Sequence, residues 1–154
     1  REARLEISLK STDAPFTYRR ALKEFEAPYF AGYFDGDGCL SIWFKKNWHP
    51  RITFAQTQPD ALIELHAIYG GALFAERVRA AQHRPQLRYQ LAQRVAVFAL
   101  LRDMRPFVVE KRGQVELLFE QYRVDMSFYD GKWLKDQLSE MKQYAMAGGG
   151  EKLT

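Results

Sequence analysis

The sequence predicts an α+β fold in which helices cover one face of an antiparallel four-stranded sheet, in the order αββαββα. Three observations lead there. Apolar and polar residues alternate at period two in strand-length stretches that come in pairs. Segments with helical periodicity separate the pairs, so each pair closes as a hairpin and the helices gather on one side. A chain of 154 residues that is 47% hydrophobic and 14% aromatic is large enough for one domain around a real core.

The elements follow in order. Residues 1–27 are mixed and charged, with weak helical character around Tyr18 to Phe25, and are expected to form an N-terminal arm. Pro28 suits the first turn of a helix, where its missing N–H is not needed. That helix is expected to reach about Asp37, with Gly38 ending it. From Cys39 to Lys46 the chain alternates, with Leu40, Ile42 and Phe44 on one side and Ser41, Trp43 and Lys45 on the other. Asn47 to Pro50 is expected as the turn. Arg51 to Thr57 is the second strand, with Ile52 and Phe54 opposed to Arg51, Thr53 and Ala55.

Pro59 and Asp60 open a second helix whose apolar face is Ala61, Leu62, Leu65 and Ile68, and Gly70-Gly71 stops it. Ala72 to Arg79 is the third strand, with a loop through His83, Arg84 and Pro85. Gln86 to Gln93 is the fourth, with Leu87, Tyr89 and Leu91 inward and Gln86, Arg88 and Gln90 outward. Helices are expected over Val95–Met104, Val109–Val124 and Gly131–Tyr144, the middle one burying Val115, Leu118, Phe119 and Tyr122. The domain is expected to span 28–146, and 147–154, with Gly148 to Gly150, to be a flexible tail.

Composition excludes several classes. No apolar run approaches the roughly 18 residues of a membrane helix, and no basic-then-apolar leader opens the chain. The chain does not begin with Met, as expected of a processed or excised piece. One cysteine, Cys39, allows neither a disulfide framework nor a cysteine-rich zinc site. These features suit an intracellular, reducing setting, without distinguishing organelle, bacterial or viral host.

The net charge is +4, and its distribution matters more. Between Cys39 and Arg94 lie Lys45, Lys46, Arg51, Arg77, Arg79, Arg84, Arg88 and Arg94, against only Asp60, Glu64 and Glu76. Placed on the sheet, the outward set is Ser41, Trp43, Lys45, Asn47, Arg51, Thr53, Arg77, Arg79, Arg88 and Gln90. Such a face attracts a polyanion through counterion release. Arginine pairs with guanine and Gln with adenine, so the same residue types suit base reading in a DNA groove. A solvated basic surface is the other reading of the charge.

Gly32 and Gly36 lie four apart, on one face of the first helix, with Ala31 beside them. Small residues let a second helix come close, from this chain or from another copy. The helix ends in Asp35 and Asp37, where the helix dipole disfavours acids by about 0.3–1 kcal/mol. Asp35-Gly36-Asp37-Gly38 is then either a helix-to-strand turn or the end of a metal site. An EF-hand reading fails, because its last ligand would be Lys46 and its fifth-position ligand Cys39. Two copies of this helix side by side would bring two Asp37 ends together at a shared divalent-metal site. Phosphodiester hydrolysis uses that arrangement.

Phe30-Ala31-Gly32-Tyr33-Phe34-Asp35-Gly36-Asp37-Gly38 resembles the motif that names the LAGLIDADG homing endonucleases, with aromatics at some aliphatic positions. Thr57-Gln58-Pro59-Asp60 and Pro106-Phe107-Val108-Val109-Glu110-Lys111 resemble two further segments of that family, in the same order. Together they cover roughly 28 to 124. The resemblance implies the family's αββαββα fold. It implies that Asp37 and the Gly36 carbonyl hold Mg²⁺, with Mn²⁺ or Ca²⁺ as substitutes. Gln58 would sit near the nucleophilic water and Lys111 near the scissile phosphate. Asp35 reads as structural, beside Ala31, Gly32 and Gly36 at a dimer interface. An arginine that some members carry on the second helix falls near Leu62 and is absent here.

A single copy of the motif implies a homodimer. The expected function is a Mg²⁺-dependent endonuclease that makes a double-strand break, with 3′ overhangs, in a long pseudo-palindromic site of double-stranded DNA. Its role would be intron or intein mobility, with no membrane partner. The competing expectation is a catalytically weak DNA- or RNA-binding protein of the same fold, an intron maturase or a transcription regulator. A dimerisation or metal-storage domain is a third, which the basic sheet face disfavours.

Overall fold

The computed structural model of the chain describes residues 2–3, 15–56, 59–76 and 86–150. The elements are β1 (Glu2–Ala3), β2 (Phe16–Thr17), α1 (Glu26–Asp37), β3 (Gly38–Lys45), β4 (Asn47–Gln56) and α2 (Asp60–Tyr69). They continue with β5 (Ala72–Glu76), β6 (Gln86–Leu91), α3 (Arg94–Met104), α4 (Arg112–Gln121) and α5 (Phe128–Gly150). The fold is α+β. β3 to β6 form an antiparallel sheet in the order β3-β4-β6-β5, and the expected αββαββα order holds from α1 to α3.

Alternation decides the two faces of the sheet. The register puts Leu40 opposite Ile52, Ile52 opposite Leu91 and Phe54 opposite Tyr89. All five are at most 1% exposed and face the helices. α3 lies in the middle of that core, against β4 and α1. Its residues Val95 to Leu101 are each at most 5% exposed, because a helix apolar all round is stable only when surrounded. α2 packs on β5 and β6, and α5 runs along the edge strand β3. Covering that edge leaves less open strand for unwanted pairing.

The expected turn over Asn47–Pro50 is corrected: these residues belong to β4, and the turn narrows to Lys46, at φ 64°. Trp48 and Pro50 are buried while His49 faces outward, so the segment alternates in spite of its turn-forming residues. Pairing with β6 begins only at Ile52, so Pro50 sits where β4 has one neighbour and a missing N–H is tolerated.

The helical character expected around Tyr18 to Phe25 is also absent. Tertiary contacts hold this stretch: Arg19 N–H donates to the Ile68 carbonyl at 2.9 Å, and Tyr18 Oη donates to Asp103 at 2.7 Å. β2, just before it, pairs with β1. The fourth strand ends at Leu91, and α3 begins at Arg94. α4 starts at Arg112 rather than Val109, for a reason given by Asp35 below. α5 begins at Phe128 and continues through Gly150, past the expected end at Tyr144 and into the expected tail.

Candidate active site

α1 ends against the start of α4. Asp35 accepts hydrogen bonds from the Val109 N–H at 2.8 Å and the Lys111 N–H at 3.0 Å. These bonds hold residues 109 to 111 in a loop and delay the start of α4. Lys111 answers in the other direction, its Nζ donating to the Phe34 and Asp35 carbonyls, both at 2.8 Å. Those carbonyls belong to the last turn of α1 and have no full set of helical partners. A cation there also opposes the negative end of the helix dipole. Burial holds the Lys111 pKa below its ordinary value of 10.5, and the charges of Asp35, Cys39 and Asp37 oppose that shift.

Asp35 is therefore tied into its own chain. This agrees with a structural role and corrects its place among residues offered to a second chain. Ala31 is corrected likewise: it is 0% exposed and part of this chain's core. Gly32 and Gly36 remain at the surface, and a Cβ on either would meet nothing within 4 Å. Pro28, Tyr29, Gly32, Tyr33 and Asp37 line a shallow groove along this side of α1. Asp37, the last residue of α1, is exposed at one end of it.

Gly38 follows at once and joins the helix to β3. Its N–H donates to the Phe34 carbonyl. A Cβ here would overlap the Phe34 ring and come within 2.8 Å of the Phe34 carbonyl oxygen. The glycine is required by close approach, since its φ of −81° is open to any residue.

From this joint the outer face of the sheet opens. The register pairs Cys39 with Thr53, Ser41 with Arg51, Trp43 with His49 and Lys45 with Asn47. Farther across, Thr53 pairs with Gln90 and Ala55 with Arg88. Ser41, Trp43, Lys45, Asn47, Arg51, Thr53, Arg88 and Gln90 thus share one face, as the alternation predicts. The Trp43 ring lies 4.9 Å from that of His49, and the Arg51 guanidinium carbon lies 6.0 Å from the Trp43 centroid. A cation so placed is attracted weakly to the indole face. Gln58, Arg77 and Arg79 lie outside the described residues.

Three residues on or beside this surface escaped the sequence reading. His49 was hidden by the supposed turn. Phe74, 43% exposed and paired with Arg88, sits outward, and only the register to β6 reveals it. Lys142 reaches β3 from α5: its Nζ lies 3.1 Å from Cys39 Sγ. No sequence signal links positions 39 and 142.

The donor set can be tested against a divalent cation. Each chain offers at the end of α1 the Asp37 carboxylate and the Gly36 carbonyl, both hard oxygen donors. Among the described residues no three His, Cys, Asp or Glu side chains gather as a ligand cage. Mg²⁺ commonly takes one or two carboxylates and keeps several waters, so the residues present fit it.

No family model matches the sequence, and no curated protein does. Solved structures do. The homing endonuclease I-CvuI, in complex with its target in the presence of calcium, is 17% identical with a TM-score of 0.52, over 84% of this chain and 85% of that one. The same enzyme with another target and magnesium, its DNA not cleaved, gives 14% identity and a TM-score of 0.51, over 85% and 86%. An archaeal intron-encoded homing endonuclease complexed with DNA gives 16% and 0.56, over 78% of this chain and 84% of that one. At such identities the likeness establishes architecture, and the chain has the α+β fold of these homing endonucleases.

Proposed function

We propose that this protein is a site-specific DNA endonuclease of the LAGLIDADG kind, which hydrolyses phosphodiesters with bound divalent metal as a dimer of two identical chains. One observation carries the reading. Asp37, exposed at the end of α1, stands where the open Gly32–Gly36 side of that helix meets the outer sheet face. Close approach of two such helices would bring two Asp37 carboxylates together, and the two sheets would form one long basic surface. Each chain would read half of a pseudo-palindromic site.

Asp37 and the Gly36 carbonyl would hold Mg²⁺, with Mn²⁺ or Ca²⁺ able to occupy the same donors. When bound, the metal supplies a hydroxide at neutral pH and charge stabilisation for the leaving oxygen. The chain's own groups do the rest. Lys111 fixes the last turn of α1 and adds positive charge beside the phosphate, and Asp35 fixes the loop that carries Lys111. Arg51, Arg88 and Lys45 hold the backbone, while Gln90, Thr53 and Ser41 reach base edges.

Asp37→Asn tests this. The variant is expected to bind duplex DNA with near wild-type affinity and to cut it at least about a hundredfold more slowly, a loss of roughly 2.7 kcal/mol or more in transition-state stabilisation. Full cutting by the variant would remove the mechanism. Tight binding by the wild-type protein with no cutting under any divalent metal would favour the binder reading instead.

A further inference from the structure

α5 does more than cover an edge. It starts beside the β3–β4 turn, where Phe128 stacks on Trp48 with ring centroids 5.7 Å apart. Gly131 leaves room for the same indole, since a Cβ there would overlap it. Leu134 and Leu138 are buried in the core. These contacts fix the helix along β3 and bring Lys142 to the far end of that strand. There its Nζ donates to Cys39 Sγ at 3.1 Å. Cys39 is the second residue after Asp37 and lies on the outer sheet face, in register with Thr53. The Lys142 charge also reaches Lys111, whose pKa it helps to lower.

The two lysines are differently engaged. Lys111 gives two of its three ammonium hydrogens to the Phe34 and Asp35 carbonyls. Among the described residues, the hydrogen-bond partner of Lys142 is a thiol, a weak acceptor. Position 62, where an arginine was expected by resemblance, is Leu62, 0% exposed in the core, so α2 offers no cation there.

We propose that Lys142 is the second basic group of the site and binds a backbone phosphate of duplex DNA that passes the end of α1. This rests on the endonuclease reading of the same site. α5 is then part of the nucleic-acid surface, and its docking through Gly131 positions a phosphate contact.

The test is equilibrium binding of the full chain to a duplex selected by wild-type protein, over a range of salt, with single-turnover cutting in Mg²⁺. Wild type, Lys142→Met, Lys142→Arg and Lys132→Met are compared. Lys132 is exposed on α5 and pairs with Asp136, so its loss controls for charge alone. Lys142→Met is expected to reduce the slope of log affinity against log salt by about 0.9, the value of one phosphate contact. Its cutting should also fall about tenfold or more at saturating protein, about 1.4 kcal/mol. Lys142→Arg and Lys132→Met should keep the wild-type slope. If Lys142→Met fails to fold, Lys142→Gln gives the same readout. Wild type that binds and cuts, with Lys142→Met equal to it in slope and rate, overturns the role of Lys142 alone. Wild type that binds no duplex overturns both readings.

Discussion

Glu26 shows how one buried acid can hold a segment. It is 2% exposed, yet its carboxylate receives Arg20 at 2.8 and 2.6 Å and the Lys23 N–H at 2.8 Å. Arg20 also reaches Glu64, so the approach to α1 is clamped to α2. The Arg20 guanidinium, more than any other group, holds the Glu26 pKa below its ordinary value of 4.5. A lowered folded pKa means that the clamp is fully present above the unfolded value and is lost as pH falls through the folded one. Glu26→Gln is therefore expected to cost about 1–3 kcal/mol near neutral pH. The gap between variant and wild type should close in acid, as urea unfolding at several pH values would show. A constant gap across that range would mean that the carboxylate's charge is not what holds the segment. The paired acids of the motif divide in a related way: Asp35 is used by backbone N–H groups of its own chain, while Asp37 is exposed at the helix end.

At the scale of elements, the joint between α1 and β3 is where sequence and structure agree most closely. Gly38→Ala should push Phe34 or the strand aside and cost about 1–3 kcal/mol. Thermal unfolding checks this, and an unchanged midpoint would mean that the joint relaxes freely. Strands, helix order and the outward residues were legible because alternation survives wherever one face is buried. The Asn47–Pro50 stretch misled because Asn and Pro carry strong turn signals, and burial of Trp48 overrode them. The start of α4 misled because Asp35, more than seventy positions away, takes the N–H groups that open it. Ala31 was grouped with Gly32 as a small neighbour, although adjacent helical residues point about 100° apart and only one can face outward. Lys142 was illegible for the same reason as the α4 start: long-range docking of α5, not local pattern, brings it to Cys39.

For the whole molecule, one side of α1 and the outer sheet face are the surfaces that the core leaves open, and they meet at Asp37. Gly32→Leu fills space that is empty within one chain, and leucine favours a helix over glycine by roughly 1 kcal/mol. The variant is expected to fold at least as stably as wild type, to sediment as a monomer and to lose cutting. A variant that stays dimeric and active would place the second chain elsewhere. The central claim, that this fold cuts DNA through Asp37, is tested most directly by selecting cleaved molecules from a randomised duplex library. Wild type with Mg²⁺ should yield one family of long pseudo-palindromic sites, and Asp37→Asn, or wild type with a chelator, should yield none. Recovery of no cleaved site from a wild-type protein that still binds DNA would contradict the claim.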